Sequence, residues 1–544
     1  MGLKRGARQT PPWLRAMTAQ AIAMSRTLGI ADAVDGVCTF EDRNVTPGDV
    51  FELMLGAIAA KPERTALFNI REFYEGAPLE ALFGRRVLPE NLNASALARG
   101  LDAIGAAGGK TRLQWQLAQE SKRRFGFDSK INHGDGTAAR FTGEEQERGS
   151  NEEVPLPKFG HPKKKDDEKY RQYNGYGIVD GDRILNSFRP YDGNVSDVTM
   201  NKDALEFLSE MNDVKERIYV ADCKLATAGI LDRMDGMGIG YVTKIPDNSI
   251  DNARDKALKA AIPELDLDVD DGHIKRFADV AVPIHGMDRR FVVVVNTLKF
   301  ADARAKIRTK VRSDLDALNS KFSKKTFETK DAAIEALKSK LSSAKVAGHK
   351  VGWDFEEVSV RVKPHQGRDA NDEQYKTVYR MSLRIEYCED MATFEAVKSS
   401  GTVLITNLSA EPSDDGDIRK GADSRTILDL YNGQFACEHA FRLMKSGIGL
   451  DSIYLQTPQR VDAMLFIISL AAMMFTLMDA ILRKQGVRIG HTFLRLRIVL
   501  QNSRLSFEEG DWVFEGPPDK EGLFAERLAM FSIDPDTFLT ARAA

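Results

Sequence analysis

Between Asp462 and Asp479 the chain runs for 16 residues, 463–478, without a single charge. A membrane-spanning helix takes about 20 apolar residues, so this run is short for a bilayer, and a helix apolar on every side has to be enclosed by other elements. The expectation is a buried core helix over 459–484, inside a domain large enough to surround it. The composition allows such a core, with 42% hydrophobic and 29% charged residues, as is usual for a soluble globular protein. At 544 residues the chain exceeds what one core accommodates, and two to four domains are expected.

A net charge of −3 leaves any contact with nucleic acid to local basic patches. Residues 1–130 hold 18 Lys or Arg against 14 Asp or Glu, a mild local bias that a plain helical domain also shows. Cys38, Cys223, Cys388 and Cys437 are scattered, with no CxxC pair. That argues against a disulfide framework or zinc site and fits a reducing cytoplasm. The basic start runs into Pro11, Pro12 and Trp13 rather than an apolar leader, so neither a signal peptide nor a membrane partner is expected.

Residues 1–125 read as helical, with helices near 50–60, 93–106 and 114–124, the last closing on Lys122, Arg123 and Arg124. From 126 to 248 short strands alternate with helices. Strands are expected at 131–142, 217–221 and 239–244, a hairpin at 173–189 around Asp180-Gly181-Asp182, and helices at 200–211 and 227–237. That pattern predicts a mixed sheet covered by helices, an α/β fold. The charged, proline-bearing stretch 144–169 reads as a long loop, and its Lys163, Lys164 and Lys165 as a solvated run or a backbone-phosphate contact. A separate α+β block at 249–400 carries a valine-rich strand at 291–297, a charged helical stretch at 301–344 broken near 323–325, and strands at 358–362 and 377–387. Residues 401–500 add a strand at 402–407 and two helices; the tail, 501–544, has no assigned role. Gly105 to Lys110 ends like a phosphate loop but is one position short and lacks a strong strand before it, so no ATPase is expected.

The polar run before the apolar helix carries the chemistry. At about 100° per residue, Tyr431, Gln434, Glu438, Arg442 and Lys445 fall in one narrow sector of a helix. This could be a solvated face, or a carboxylate flanked by groups that hold phosphate. Arg442 could pair with Glu438 or with phosphate. Two isolated acids lie upstream. Asp135, in His133-Gly134-Asp135-Gly136-Thr137, is either a site acid with room for a metal beside it or part of a turn. Asp222 stands just past the strand 218–221, where α/β sheets place ligands, or else caps the next helix. His133 reads as structural, since Mg²⁺ prefers oxygen ligands.

The spacing Tyr431, Gln434, Glu438, Lys445 resembles the catalytic helix of DDE insertion-sequence transposases, whose signature is Tyr, two residues, Arg, three residues, Glu, six residues, Lys. Gln434 replaces the Arg. Val220 to Thr227 and the strand at 240–244 resemble the group's second-acid motif, and Asp135, Thr137, Gly143 and Glu144 its first, with Gly136 departing from the usual hydroxyl residue. The likeness covers most of residues 1–485. It implies an RNase H-like mixed sheet (126–248 and 401–500), an inserted α+β domain (249–400) and a helical N-terminal domain (1–125) holding element ends. It further implies Asp135, Asp222 and Glu438 as ligands of Mg²⁺, for which Mn²⁺ would substitute. Tyr431, Gln434, Arg442 and Lys445 would then contact double-stranded DNA, with a homodimer on paired ends. A DNA-binding relative without catalysis and an RNase H-like nuclease or resolvase remain as alternatives.

Overall fold

The computed structural model describes residues 11–540 apart from 42–43, 61–68, 85–86, 142–145, 149–152, 161–169, 248–251, 268–272, 285, 344–345, 362–374, 412–415, 451–454, 456 and 488–491. Gly143, Glu144 and the lysines at 163–165 lie outside the described residues. The chain divides into two compact units: residues 1–225, 232–240 and 430–544 form the first, and 226–231 with 241–429 the second.

The first unit contains helices α1 (Ala16–Thr27), α2 (Ile30–Val37), α3 (Pro47–Ala60), α4 (Ala94–Ala106), α5 (Lys110–Arg124) and α6 (Asp197–Ser209). The helix α7 (Ser424–Asn432) begins in the second unit and ends in the first, and α8 (Phe435–Arg442) and α9 (Pro458–Lys484) follow in the first. The apolar run is α9. Every residue from Val461 to Leu482 is buried, so a helix long and apolar enough for a bilayer is enclosed by protein. Its few polar side chains are tied down. Ser469 Oγ donates to Gln114 Oε1 (3.1 Å), which also accepts the Phe188 N–H (3.0 Å), and Thr476 Oγ1 accepts the Leu185 N–H (3.0 Å).

The glycine-rich turn before α5 serves this packing rather than a phosphate. Lys110 Nζ stands 3.1 Å from buried Asp462 at the head of α9 and donates to the carbonyls of Gly105 and Ala107. A Cβ on Gly105 would sit 2.3 Å from the Gln459 carbonyl oxygen, so α4 and α9 touch backbone to side chain position. Gly105→Ala should therefore lower unfolding free energy by about 1–3 kcal/mol despite alanine's better helix propensity. Urea denaturation checks this, and an unchanged midpoint would deny the close contact.

Four strands of the unit form the sheet that carries the upstream acids: β1 (Ile131–Arg140), β2 (Arg171–Asp180), β3 (Leu185–Asp192) and β4 (Ile218–Ala221). They lie in the order β3–β2–β1–β4, with β2 antiparallel to both neighbours and β4 parallel to β1. β4 reads Ile-Tyr-Val-Ala and is buried throughout, the composition a strand covered on both faces requires. Within the expected loop 144–169, Lys158–Phe159 pairs instead with Gln172 and Arg171 at the start of β2. The unassigned tail also has a place: Arg504–Glu508 pairs with Trp13–Arg15 and with Asp511–Glu515, and Phe524, Leu528 and Phe531 join the core around α9.

In the second unit, Lys275–Ile284, Met287–Asn296, Gly401–Thr406 and residues 242–244 form an antiparallel run. The helix Thr297–Lys306 passes through a π turn, Ile307–Val311, into Arg312–Phe322, which stops at the expected break. A three-stranded sheet, Thr326–Phe327, Tyr375–Tyr387 and His349–Arg361 in that order, extends the shorter strands expected there. Its Met381 and Leu383 pack on Phe322, Phe327, Ala333 and Leu337. The fold is mixed α/β, as the alternating pattern implied.

Candidate active site

β1 is a strand through its whole length, so Asp135 belongs to no turn; it pairs with Gly177 of β2. The glycines on either side of it are there for contact. A Cβ at Gly134 would lie 2.1 Å from the Tyr219 hydroxyl and 2.5 Å from that of Tyr176; one at Gly136 would lie 3.3 Å from Asp197 Oδ1. The tyrosine hydroxyls are 2.7 Å apart, and Tyr176 donates to Asn201 Oδ1 at 2.7 Å. This buried network joins β1, β2, β4 and α6, and it escaped the sequence reading. Its signal was the pair of glycines flanking Asp135.

Asp222 follows β4 directly. Its Oδ1 accepts the Lys224 N–H (3.0 Å) within a tight turn, and the next helix begins only at Ala228, so the capping role does not hold. The parallel register of β1 and β4 runs from Ile131 opposite Ile218 to Gly134 opposite Ala221. One step further sets Asp135 beside Asp222. Both line a cleft of 490 Å³ shared with Asp197, Lys224, Asn174 and Gln172. Burial, together with the negative charge of Asp197, raises the Asp222 carboxyl above its ordinary value; the Lys224 N–H and ammonium pull the other way.

The polar run that carries Glu438 is not one helix. α7 ends at Asn432, and Gly433 and Gln434 form a tight turn whose N–H groups donate to the carbonyls of Leu430 and Tyr431 three residues back (3.2 Å each). α8 follows, then a π turn, Leu443–Gly447, closed by the Ile448 N–H to the Leu443 carbonyl (2.9 Å). The single sector expected for Tyr431, Gln434, Glu438, Arg442 and Lys445 is thus interrupted at both ends. The first interruption has a clear cause. Gly433 rests on the His133 ring, where a Cβ would be 2.6 Å from Cε1 and 2.8 Å from Nε2.

The side chains of that run divide accordingly. Tyr431 is half-buried, and burial with the charges of Cys223, Asp222 and Asp135 pushes its phenol up to about 12. It is near both acids and stays a donor. Gln434 is half-buried, its Nε2 without a hydrogen-bond partner among the described residues. Glu438 and Arg442 are exposed and make no ion pair with each other; Lys445 lies half-buried in the π turn. Cys437, beside Glu438, is held protonated by burial and by the charges of Asp135 and Glu438, and its Sγ donates to the His133 carbonyl (3.2 Å). His133 is buried, which lowers its imidazole to about 4, so it is neutral at ordinary pH. The structure therefore puts Asp135 and Asp222 together, and Tyr431 near them. Glu438 sits on a helix pinned to the same strand but does not line the cleft. Among the described residues no three His, Cys, Asp or Glu side chains stand close enough to hold a metal ion.

Residues 21–118 match the family model described as "Domain of unknown function (DUF4277)". No curated protein matches the chain. Solved structures similar to it include "Mos1 transposase paired-end complex with left transposon end", 10% identical, covering 37% of this chain and 60% of that one, with a TM-score of 0.15. Another is "Crystal structure of the Mos1 mariner paired end complex with Mn", also 10% identical, covering 39% and 61%, with a TM-score of 0.14. The chain thus spans 60% and 61% of the lengths of these two chains. TM-scores of 0.15 and 0.14 describe too loose a superposition to bear on fold or chemistry.

Proposed function

We propose that this chain is a cytoplasmic DNA transposase of the DDE type, cutting at element ends and joining the exposed 3′-hydroxyls to target DNA. The observation that carries the reading is the β1–β4 register, which brings Asp135 and Asp222 side by side at the end of a parallel strand pair. The order β3–β2–β1–β4, three antiparallel strands and then a parallel one, is what an RNase H-like sheet requires, and supports the reading.

Asp135 and Asp222 fit a divalent cation. They offer oxygen alone, which Mg²⁺ and Mn²⁺ prefer, and Asp222 stands in surroundings that disfavour its negative charge until a cation compensates it. Glu438 is the third ligand of the proposal. When bound, Mg²⁺ supplies positive charge to the attacking and leaving oxygens of a phosphodiester. Asp135 and Asp222 would hold it in the cleft, and Glu438, which does not line the cleft, would have to join them there. Arg442, exposed one turn past Glu438, and Lys445 give cationic contacts to phosphate, and Tyr431 a neutral hydroxyl donor. Gln434 can donate only if its turn opens, since its amide nitrogen is buried. Charge in the second unit favours a DNA partner too: residues 299–350 hold 14 Lys or Arg against 6 Asp or Glu, in a chain of net charge −3. A homodimer on two paired ends completes the proposal.

The deciding experiment incubates purified protein with duplex carrying the inverted repeats that flank its coding region, with and without Mg²⁺. Wild type nicks the repeat ends, and Glu438→Gln does so at least about 100-fold more slowly. Equal nicking by both would remove Glu438 from the site. The scattered third acid favours a second reading, a relative that binds ends without cutting. Repeat binding by wild type with no Mg²⁺-dependent nick would select it.

A further inference from the structure

We propose that Gly433, Cys437 and His133 are positioning residues that set how closely α8 approaches β1, and so where Glu438 stands relative to Asp135. This rests on the reading of Glu438 as a ligand in the proposed function. Gly433 lies in the turn that leads into α8, Cys437 and Phe441 stand four residues apart on one side of α8, and each of the three meets the sheet. At 433 the absence of a side chain lets the turn sit directly on the His133 ring. At 437 the thiol donates to the His133 carbonyl. At 441 the phenyl ring lies over Gly177 of β2, where a Cβ would be 2.7 Å from its Cε1. Ala436 and Ala440 are buried between these points, so nothing bulky holds the helix off the strand.

His133 cannot yield to a larger neighbour. The residue is only 3% exposed, so its ring is held by packing on every side, and its Nδ1 has no hydrogen-bond partner among the described residues. A methyl group added at 433 therefore lifts the start of α8. Glu438 is the next residue after Cys437, about 100° round the helix from that contact stripe, and it moves with the lift. His133 and Asp135 project from the same face of β1, two residues apart, so the distance that changes is the one between the helix and the strand's acid.

The test compares full-length wild type with Gly433→Ala, Cys437→Ser, Cys437→Ala and the double variant Gly433→Ala/His133→Ala. It reads cleavage of repeat-end duplex and the rise in melting temperature when Mn²⁺ replaces a chelator. Gly433→Ala should cut about 100-fold more slowly, the usual effect of a displacement near 1 Å, and lose the Mn²⁺ rise while melting normally in chelator. The double variant should regain both, because the shortened side chain at 133 makes room for the methyl. Cys437→Ser keeps a donor and should match wild type, whereas Cys437→Ala should not; this pair decides the matter if Gly433→Ala does not fold. Retention of cutting and of the Mn²⁺ rise by Gly433→Ala overturns the proposal, as does a double variant no better than the single one. A wild type with no Mn²⁺ rise overturns it as well. A wild type that shows the rise but cuts no duplex sinks the transposase reading alone, and the melting data then decide the positioning role.

Discussion

Asp222→Asn should reduce Mg²⁺-dependent cleavage of end duplex by at least about 100-fold and at the same time make the protein more stable at neutral pH. The two effects share one cause. Asp222 is a carboxylate placed by strand register next to Asp135 and under the charge of Asp197, in a cleft that withholds solvent from it. Such crowding serves a site that takes up a cation and costs stability in its absence. Asparagine keeps the Oδ1 that accepts the Lys224 N–H and drops the charge. The pH dependence has a definite sign. The folded-state carboxyl titrates above the unfolded one, so the folded chain binds the proton more tightly. The wild type is penalised in full above the raised value and not at all below the unfolded value of about 3.9. The advantage of Asp222→Asn should therefore shrink as pH falls through that window. Urea titrations across the acid range check this, and a variant less stable than wild type by the same margin at every pH would contradict it.

What the sequence revealed and what it concealed separate along physical lines. The buried helix was legible because a charge-free run of that length has nowhere else to go, and α9 is found within a residue of the expected bounds. β4 was legible for a similar reason, as an unbroken apolar strand ending in an acid. The adjacency of Asp135 and Asp222 was implied by the resemblance alone, since it depends on which strands pair and in what register, and a separation of 87 positions says nothing about either. The run from Tyr431 to Lys445 looked continuous because helical periodicity is a local property. Its break at Gly433 is imposed by a ring 300 positions away, at His133. The same holds for Gly134 and Gly136, which read as room for a ligand and in fact admit two tyrosine hydroxyls and Asp197. The C-terminal hairpin turns on Glu509 and Gly510, both with positive φ, a faint signal without the usual asparagine.

Lys122→Met should destabilise the first unit by about 3–5 kcal/mol, although the triplet of Lys122, Arg123 and Arg124 reads as a basic helix end. Only its last two members are exposed. Lys122 is buried on α5, and its Nζ lies 2.7 Å from Asp180 Oδ2 at the end of β2, whose side chain is fully buried. Asp180 is doubly engaged, since its Oδ1 accepts the Ile184 N–H across the β2–β3 turn (3.0 Å). Removing the lysine leaves a carboxylate in a site where burial already raises its titration above the ordinary range, with the ammonium the main force opposing that rise. The loss is thus the cost of a stranded charge, and it should be largely recovered in Lys122→Met/Asp180→Asn, where the amide oxygen still serves Ile184 and no charge remains. It should also narrow at acid pH, because protonation removes the stranded charge from the single variant and breaks the pair in wild type. Urea midpoints for the three proteins at neutral and acid pH test each step. A single-variant loss below about 1 kcal/mol, the range of solvated surface pairs, would mean that water reaches Asp180, and that the junction of α5 with the β2–β3 hairpin is not held by this pair.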